Sequence, residues 1–145
     1  MKPEVLGAGY YKLCEPEKIA LTKRITTYLF QRAEIVFAFL YGSFLSENIF
    51  RDIDVGVFVR NRDPSEGFSY ENKLAYDLEQ EFDFLLPMEI RIINAAPVTF
   101  SFQVIWGKRL FSRDQEFLTD FMQTTARKYL DMDPLRRRYL KEVMA

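Results

Sequence analysis

At 145 residues the chain is sized for one domain, and a hydrophobic share of 48% with 16% aromatics supplies a core and argues against disorder. Lysine plus arginine number 20 against 21 acids, a net charge of -1 that speaks against life on duplex DNA or an anionic membrane. Histidine is absent and Cys14 is the lone cysteine, which excludes catalytic triads, Cys-His pairs, His-ligated metals and an internal disulfide.

Any chemistry is therefore left to carboxylates, hydroxyls, backbone amides and basic side chains. The first nine residues lack an apolar stretch of signal-peptide length. The longest apolar run, Ile35 to Tyr41, is far short of the ~20 residues a bilayer span needs. These features lead to the expectation of a soluble, cytoplasmic protein.

Gly7, Gly9, Tyr10 and Tyr11 suggest an irregular, partly docked leader. A helix is expected to start near Cys14–Pro16, where proline fits a first turn and Glu15 and Glu17 suit the positive dipole end. Ile19, Thr22, Ile25, Thr26, Leu29 and Phe30 carry it at helical spacing to about Arg32. The run from Ile35 to Tyr41 reads as a strand buried on both faces, stopped by Gly42-Ser43. From Asp52 to Val59 the pattern alternates: Ile53, Val55, Val57 and Val59 on one face, Asp52, Asp54, Gly56 and Phe58 on the other. After a turn-rich loop over 61–67, a helix is expected from Tyr70 to Phe82. A third strand follows over Met88–Ile93. Pro97 opens a short helix closed by Gly107, and Leu110-Phe111 forms a brief edge strand. Ser112 or Asp114 caps a last long helix, expected to break near Pro134. The order gives a small α/β sandwich forming a single domain over residues 1–145.

Asp52 and Asp54 stand two apart on a strand, so they share a face at about 7 Å between Cα atoms. From there two carboxylates can share a divalent cation, and magnesium takes such hard oxygen ligands together with substrate phosphates. Taken alone, Asp-x-Asp is more often just the wet face of an amphipathic strand. Gly42 and Ser43 change the balance. A glycine lets backbone amides approach an anion, a helix opened by Phe44-Leu45-Ser46 would turn its amides toward a phosphate, and the Ser43 hydroxyl adds a donor. Gly-Ser alone would be an ordinary turn, but Gly-Ser followed by Asp-x-Asp puts a phosphate cradle beside a metal site.

These pieces resemble the minimal nucleotidyltransferase domains of the polymerase-β-like superfamily. The matching stretches are Phe39 to Ser43, Arg51 to Val57, and Glu89 to Pro97, with Gly107 to Phe111 like the same tail. The resemblance implies a nucleotidyltransferase fold, α/β or α+β, with a small mixed sheet packed against helices. It implies Asp52, Asp54 and Glu89 as catalytic and metal-binding acids, Mg²⁺ as metal, ATP as co-substrate, and Gly42 and Ser43 on the β/γ-phosphates. Three departures stand out. Glu89 takes the place of an aspartate, Leu45-Ser46-Glu47 lacks the basic residue and glycine usual after the Gly-Ser turn, and the loop to Asp52 is short. Arg91 would lie beside the acids, either on phosphate or neutralising Glu89; Arg51 carries the same ambiguity.

Stand-alone domains of this kind are often antitoxins paired with a small helical HEPN-type toxin, in some cases adenylylating a tyrosine on it. The resemblance thus implies an Mg²⁺-dependent transfer of AMP to a HEPN-type partner. The alternative is a catalytically decayed module that neutralises its partner by occlusion. Residues 127–145, with Arg136 to Arg138, Lys141, Tyr129, Leu130, Tyr139 and Leu140, suit either an interaction helix or a solvated amphipathic one. A nucleic-acid role for the arginines is disfavoured by the overall charge. The aromatics Phe37, Phe39, Phe50, Phe58, Phe82, Phe84, Phe100, Phe102 and Trp106 are read as core or partner-facing packing rather than base-stacking platforms. Cys14 is read as a bystander thiol.

Overall fold

The computed structural model describes residues 1–144; side chains at 133–137, 139, 140 and 144 lie outside the described set. In chain order the elements are β1 (Glu4–Val5), β2 (Tyr11–Lys12), α1 (Glu15–Phe30), β3 (Ile35–Tyr41), α2 (Ser43–Ser46), β4 (Ile49–Phe50) and β5 (Ile53–Val59). There follow α3 (Gly67–Glu81), β6 (Met88–Ile92), α4 (Val98–Ile105), β7 (Lys108–Ser112) and α5 (Gln115–Met144).

The expected mixed sheet is present, with strand order β6-β5-β3-β7. β5 and β6 run parallel, while β3 pairs antiparallel with both β5 and β7. Every residue of β3 is buried. Its two faces feed two separate cores, because apolar side chains on both sides of a strand demand a cover on each. One core packs Leu21, Ile25 and Leu29 of α1 and Leu74 and Leu78 of α3 against Ala38, Leu40, Val55, Val57 and Ile90. The other joins Phe37, Phe39 and Tyr41 to Val104, Ile105 and Leu118 of α4 and α5. An irregularity in pairing between Ile35 and Phe37 sends both Val36 and Phe37 to this second core, since an extra residue in one strand breaks strict alternation.

Asn94 extends the sheet by side chain. Its Oδ1 accepts the Val59 amide at 2.9 Å and its Nδ2 donates to the Val59 carbonyl at 2.5 Å. This amide pairs with the last residue of β5 after β6 has ended, and so aims the chain toward Pro97, the cap of α4.

The leader is more ordered than its glycines suggest. β1, β2 and β4 form a small three-stranded sheet, so the leader pairs with the loop between Gly-Ser and Asp-x-Asp. The helix expected from Tyr70 begins earlier, at Gly67, following a turn capped by the Asp63 carboxylate on the Ser65 amide. Asp114, rather than Ser112, caps α5 by accepting the Phe117 amide at 3.0 Å. The expected break near Pro134 is absent, and α5 continues to Met144. A proline there removes one backbone hydrogen bond, whose acceptor lies one turn back at the exposed Leu130, where water can replace the lost donor. Of the nine aromatics read as packing, Phe84 and Trp106 are exposed, at 53% and 79%, and the others are buried or half-buried.

Phe37 stands at the centre of the second core, against Phe39, Phe58, Phe117 and Phe121. Truncating it leaves a cavity that tightly packed neighbours cannot close, so Phe37→Ala is expected to lower unfolding free energy by about 3–5 kcal/mol in urea titrations.

Candidate functional site

The three sequence-predicted acids converge. Asp54 and Glu89 are direct register partners across the parallel β5–β6 pair, and adjacent strands lie only about 4.8 Å apart. Asp52 sits immediately before β5, two residues from Asp54 and on the same side. One carboxylate oxygen from each of Asp52, Asp54 and Glu89 lies within 4.8 Å of the others, and all three residues are half-buried.

Ligand oxygens around Mg²⁺ at about 2.0–2.1 Å are spaced about 2.9 to 4.2 Å apart. A small side-chain rotation therefore closes this set on one cation. The donor set is all carboxylate oxygen, which suits Mg²⁺ or Mn²⁺ and not a soft metal. The residues fit the ion that the resemblance implies.

Gly42 closes the site from β3. Its backbone has φ 83° and ψ -165°, a region that favours glycine. A Cβ there would fall on Asp54 Oδ2. The turn after it is compact: the Gly42 carbonyl accepts the Leu45 and Ser46 amides, and the Ser43 carbonyl accepts the Glu47 amide at 2.7 Å. Ser43 thus opens α2 next to the acids, as the sequence suggested.

The charges are strained. Burial, with the neighbouring Glu89 and Asp52 carboxylates, pushes the Asp54 carboxyl up to about 8. Burial, followed by Glu89, also raises that of Asp52. Arg91 relieves part of this repulsion: its Nε and Nη2 donate to Glu89 Oε1 at 3.1 and 2.8 Å. Of its two roles considered from sequence, the geometry places Arg91 on Glu89. Arg51 makes no ion pair with the acids among the described residues; its guanidinium lies over the Tyr10 ring and donates to the Ala8 carbonyl, near enough to Asp52 to favour its charged form.

Two groups escaped the sequence reading. Tyr41, the last residue of β3, lies beside the acids, where burial and then Asp54 raise its phenol so that it stays a neutral donor. Its place directly before Gly42 was the available signal. Glu79 and Glu71 of α3 accept the Met88 and Ile92 amides at 2.8 and 2.7 Å. These amides lie on the outer edge of β6, so two carboxylates hold the strand that carries Glu89. Nothing in a helical pattern marks such contacts.

A cavity of about 590 Å³ opens beside the acids, walled by Tyr41, Gly42, Asp54, Glu89, Arg91 and Phe100. A second, of about 290 Å³, meets it at Glu71, Ile92 and Ala96 and extends to Arg62 and Phe68. Asp54 and Glu89 line the first cavity, and none of the three acids lines the second.

The family model described as polymerase beta, nucleotidyltransferase, matches residues 23–116, well over half of the chain and all of the acid cluster. The chain belongs to this nucleotidyltransferase family. No curated protein sequence matches it. Solved structures share its fold. One is a tri-AMPylated Shewanella oneidensis HEPN toxin in complex with MNT antitoxin, at 21% identity and TM-score 0.64, over 88% of this chain and 99% of that one. A second is the toxin–antitoxin MntA-HepT, at 20% identity and TM-score 0.63, over 87% and 99%. A third is a toxin–antitoxin with AMP-PNP, at 21% identity and TM-score 0.60, over 91% and 100%. The nucleotidyltransferase fold expected from sequence is thus found.

Two outcomes follow from this geometry. Folded Asp54 keeps its proton to about pH 8, whereas an unfolded aspartate releases it near 3.9. Between these values the folded state binds more protons, so stability falls as pH rises through the window. Without divalent cations, the melting temperature is expected to drop by a few degrees from about pH 5 to pH 8. Mn²⁺ should restore it most at the alkaline end, because the cation takes the place of the proton; Asp54→Asn should flatten both trends in differential scanning fluorimetry. Separately, Gly42→Ala is expected to abolish Mn²⁺ binding in titration calorimetry or weaken it at least tenfold while the fold persists by circular dichroism, since the added methyl displaces the Asp54 carboxylate.

Proposed function

We propose that the chain is a metal-dependent protein adenylyltransferase that acts as the antitoxin of a small helical HEPN-type toxin. The observation that supports this reading best is the meeting of Asp52, Asp54 and Glu89 within 4.8 Å beside the Gly42–Ser43 turn. Support for the partner comes from the solved relatives: an AMPylated HEPN toxin with its MNT antitoxin, and a toxin–antitoxin with AMP-PNP. In this reading residues 1–145 form a single catalytic domain, and residues 127–145 serve as an interaction helix. Tyr129 of that segment stacks on Phe102 at 4.0 Å and Leu130 is exposed; the side chains of Arg136, Arg137, Tyr139 and Leu140 lie outside the described set. Among the described residues no helix is long and apolar enough to cross a membrane, and action in the cytoplasm belongs to the same proposal.

The roles follow from charge. Asp52, Asp54 and Glu89 would hold Mg²⁺ against the triphosphate of ATP. The ion, when bound, would neutralise charge on the phosphates and ease loss of the proton from the attacking hydroxyl. Gly42 and Ser43 would orient the β/γ-phosphates through amides and the serine hydroxyl. The acceptor oxygen attacks the α-phosphorus, the bond to pyrophosphate breaks, and Glu89 takes the hydroxyl proton. Tyr41 contributes a neutral donor at the cavity wall, and Arg91 keeps Glu89 oriented by its two hydrogen bonds.

A second reading has its own support. Leu45-Ser46-Glu47 carries no cation for the triphosphate, and Glu89 is already paired with Arg91 at 2.8 Å. A decayed module that binds its partner and blocks it would show the same fold.

One experiment separates the two. Purified protein, a HEPN-type partner, Mg²⁺ and ATP labelled at the α-phosphate are expected to yield labelled partner. Asp52→Asn with Asp54→Asn should cut the rate by about a hundred- to a thousandfold or more, the order seen when a principal electrostatic group is removed. Neutralisation of the toxin with no label transferred would establish occlusion instead.

A further inference from the structure

The loop after Gly42-Ser43 lacks a basic side chain of its own, yet a cation reaches it from elsewhere. Lys18, in the first turns of α1, sends its ammonium to the Phe44 carbonyl at 2.8 Å and the Glu47 carbonyl at 2.7 Å. The same ammonium lies 5.1 Å from the centroid of Phe44 and 5.7 Å from that of Phe50. Those rings are 2% and 0% exposed. The Phe44 carbonyl is part-buried beside this apolar wall, where an unpaired backbone acceptor is costly and a charged donor binds strongly, while the Glu47 carbonyl is reached at the surface.

The contact closes a chain of hydrogen bonds that ends at Gly42, beside the acids. Lys18 fixes residues 44 and 47. Residue 47 is tied by its amide to the Ser43 carbonyl, and residues 45 and 46 by theirs to Gly42. Gly42 in turn rests against the Asp54 carboxylate, with no room for a methyl group between them. A four-residue helix has little stability of its own, so an outside anchor decides whether this turn keeps its shape. The acids have separate supports: the Ile53 amide on the Pro87 carbonyl, and Glu71 and Glu79 on the edge of β6.

We infer that Lys18 is a positioning residue for the nucleotide's phosphates, holding the Gly42–Glu47 turn in its binding shape through the Phe44 and Glu47 carbonyls. This rests on the nucleotidyltransferase reading above. It divides the site in two: loss of Lys18 should loosen the phosphate turn and leave the metal acids in place.

The test uses the full chain with Lys18→Met, which keeps an apolar stem over Phe44 and Phe50, and Lys18→Arg, which keeps the charge. ATP binding in saturating Mg²⁺ is measured by calorimetry, and Mn²⁺ binding without nucleotide by electron paramagnetic titration. Lys18→Met should weaken ATP about tenfold or more, with Mn²⁺ affinity within about twofold of wild type, and Lys18→Arg should recover most of the ATP affinity. Unchanged ATP affinity in Lys18→Met overturns the inference and leaves the nucleotidyltransferase reading intact. Equal losses of ATP and Mn²⁺ affinity, or failure of Lys18→Met to fold, also overturn it, because Lys18 would then support the whole structure. A wild-type chain that binds Mn²⁺ but no ATP removes the nucleotidyltransferase reading and this inference with it.

Discussion

The whole site hangs on one alignment, the register of β6 against β5. Because the pair is parallel and Asp54 lies directly opposite Glu89, two carboxylates are brought within one interstrand spacing. A slip of one residue would put Glu89 on the other face, in the core occupied by Ile90 and Met88. The apolar residues therefore select the register in which the acids meet: Met88 and Ile90 cannot turn outward without exposing their side chains. The Glu79 and Glu71 contacts at either end of β6 reinforce this, since a shifted strand would offer them the wrong amides. Packing and chemistry are set by the same pairing.

That pairing has an energetic cost. Three half-buried acids within 4.8 Å repel each other and are partly desolvated, and Asp54 responds by keeping its proton to about pH 8. Arg91 offsets part of the repulsion, but its side chain is 51% exposed and, among the described residues, pairs with Glu89 alone. An exposed pair of this sort contributes little to stability. The remainder falls to the two hydrophobic cores, and the all-buried strand β3 lies between them. Gly42 follows this all-buried strand directly, which is why the Gly42–Glu47 turn starts from a defined point.

How much of this was legible in the sequence depended on the range of each interaction. The strands over 35–41 and 53–59 announced themselves through continuous and alternating apolar residues, and Asp52 and Asp54 through their place in that pattern, whereas Glu89 was singled out by the family resemblance alone. The β1–β2–β4 sheet did not, because strands of two residues carry no period to detect. The start of α3 was placed at Tyr70 because Gly67 and Phe68 look like loop, yet the Asp63 cap makes residues 64–66 a turn that leads straight into the helix. Continuity of α5 past Pro134 runs against the local rule for proline, which removes a backbone hydrogen bond and crowds the carbonyl one turn back. Trp106 was read as core or partner-facing packing, and its exposure removes the first of these while Phe102 beneath it is half-buried; one residue at the end of α4 can face solvent without altering the helical pattern.

The departures from the family pattern also change meaning once the chain is folded. Seen in one dimension, Leu45-Ser46-Glu47 is a loop that has lost its cation. In three dimensions a lysine 29 residues before Glu47 reaches the same loop and binds its carbonyls. Cation and loop need not be neighbours in sequence, because α1 crosses beside β4 and places Lys18 over Phe44 and Phe50. The charge there serves the backbone directly, so any influence on a nucleotide passes through the shape of the turn. Glu89 submits to a similar argument. Its extra methylene sets its carboxylate further from the strand than an aspartate would, and Arg91 on the same face draws that carboxylate into a fixed position. A longer acid beside an arginine can thus occupy the place of a shorter one, so a missing aspartate does not by itself mean a missing site.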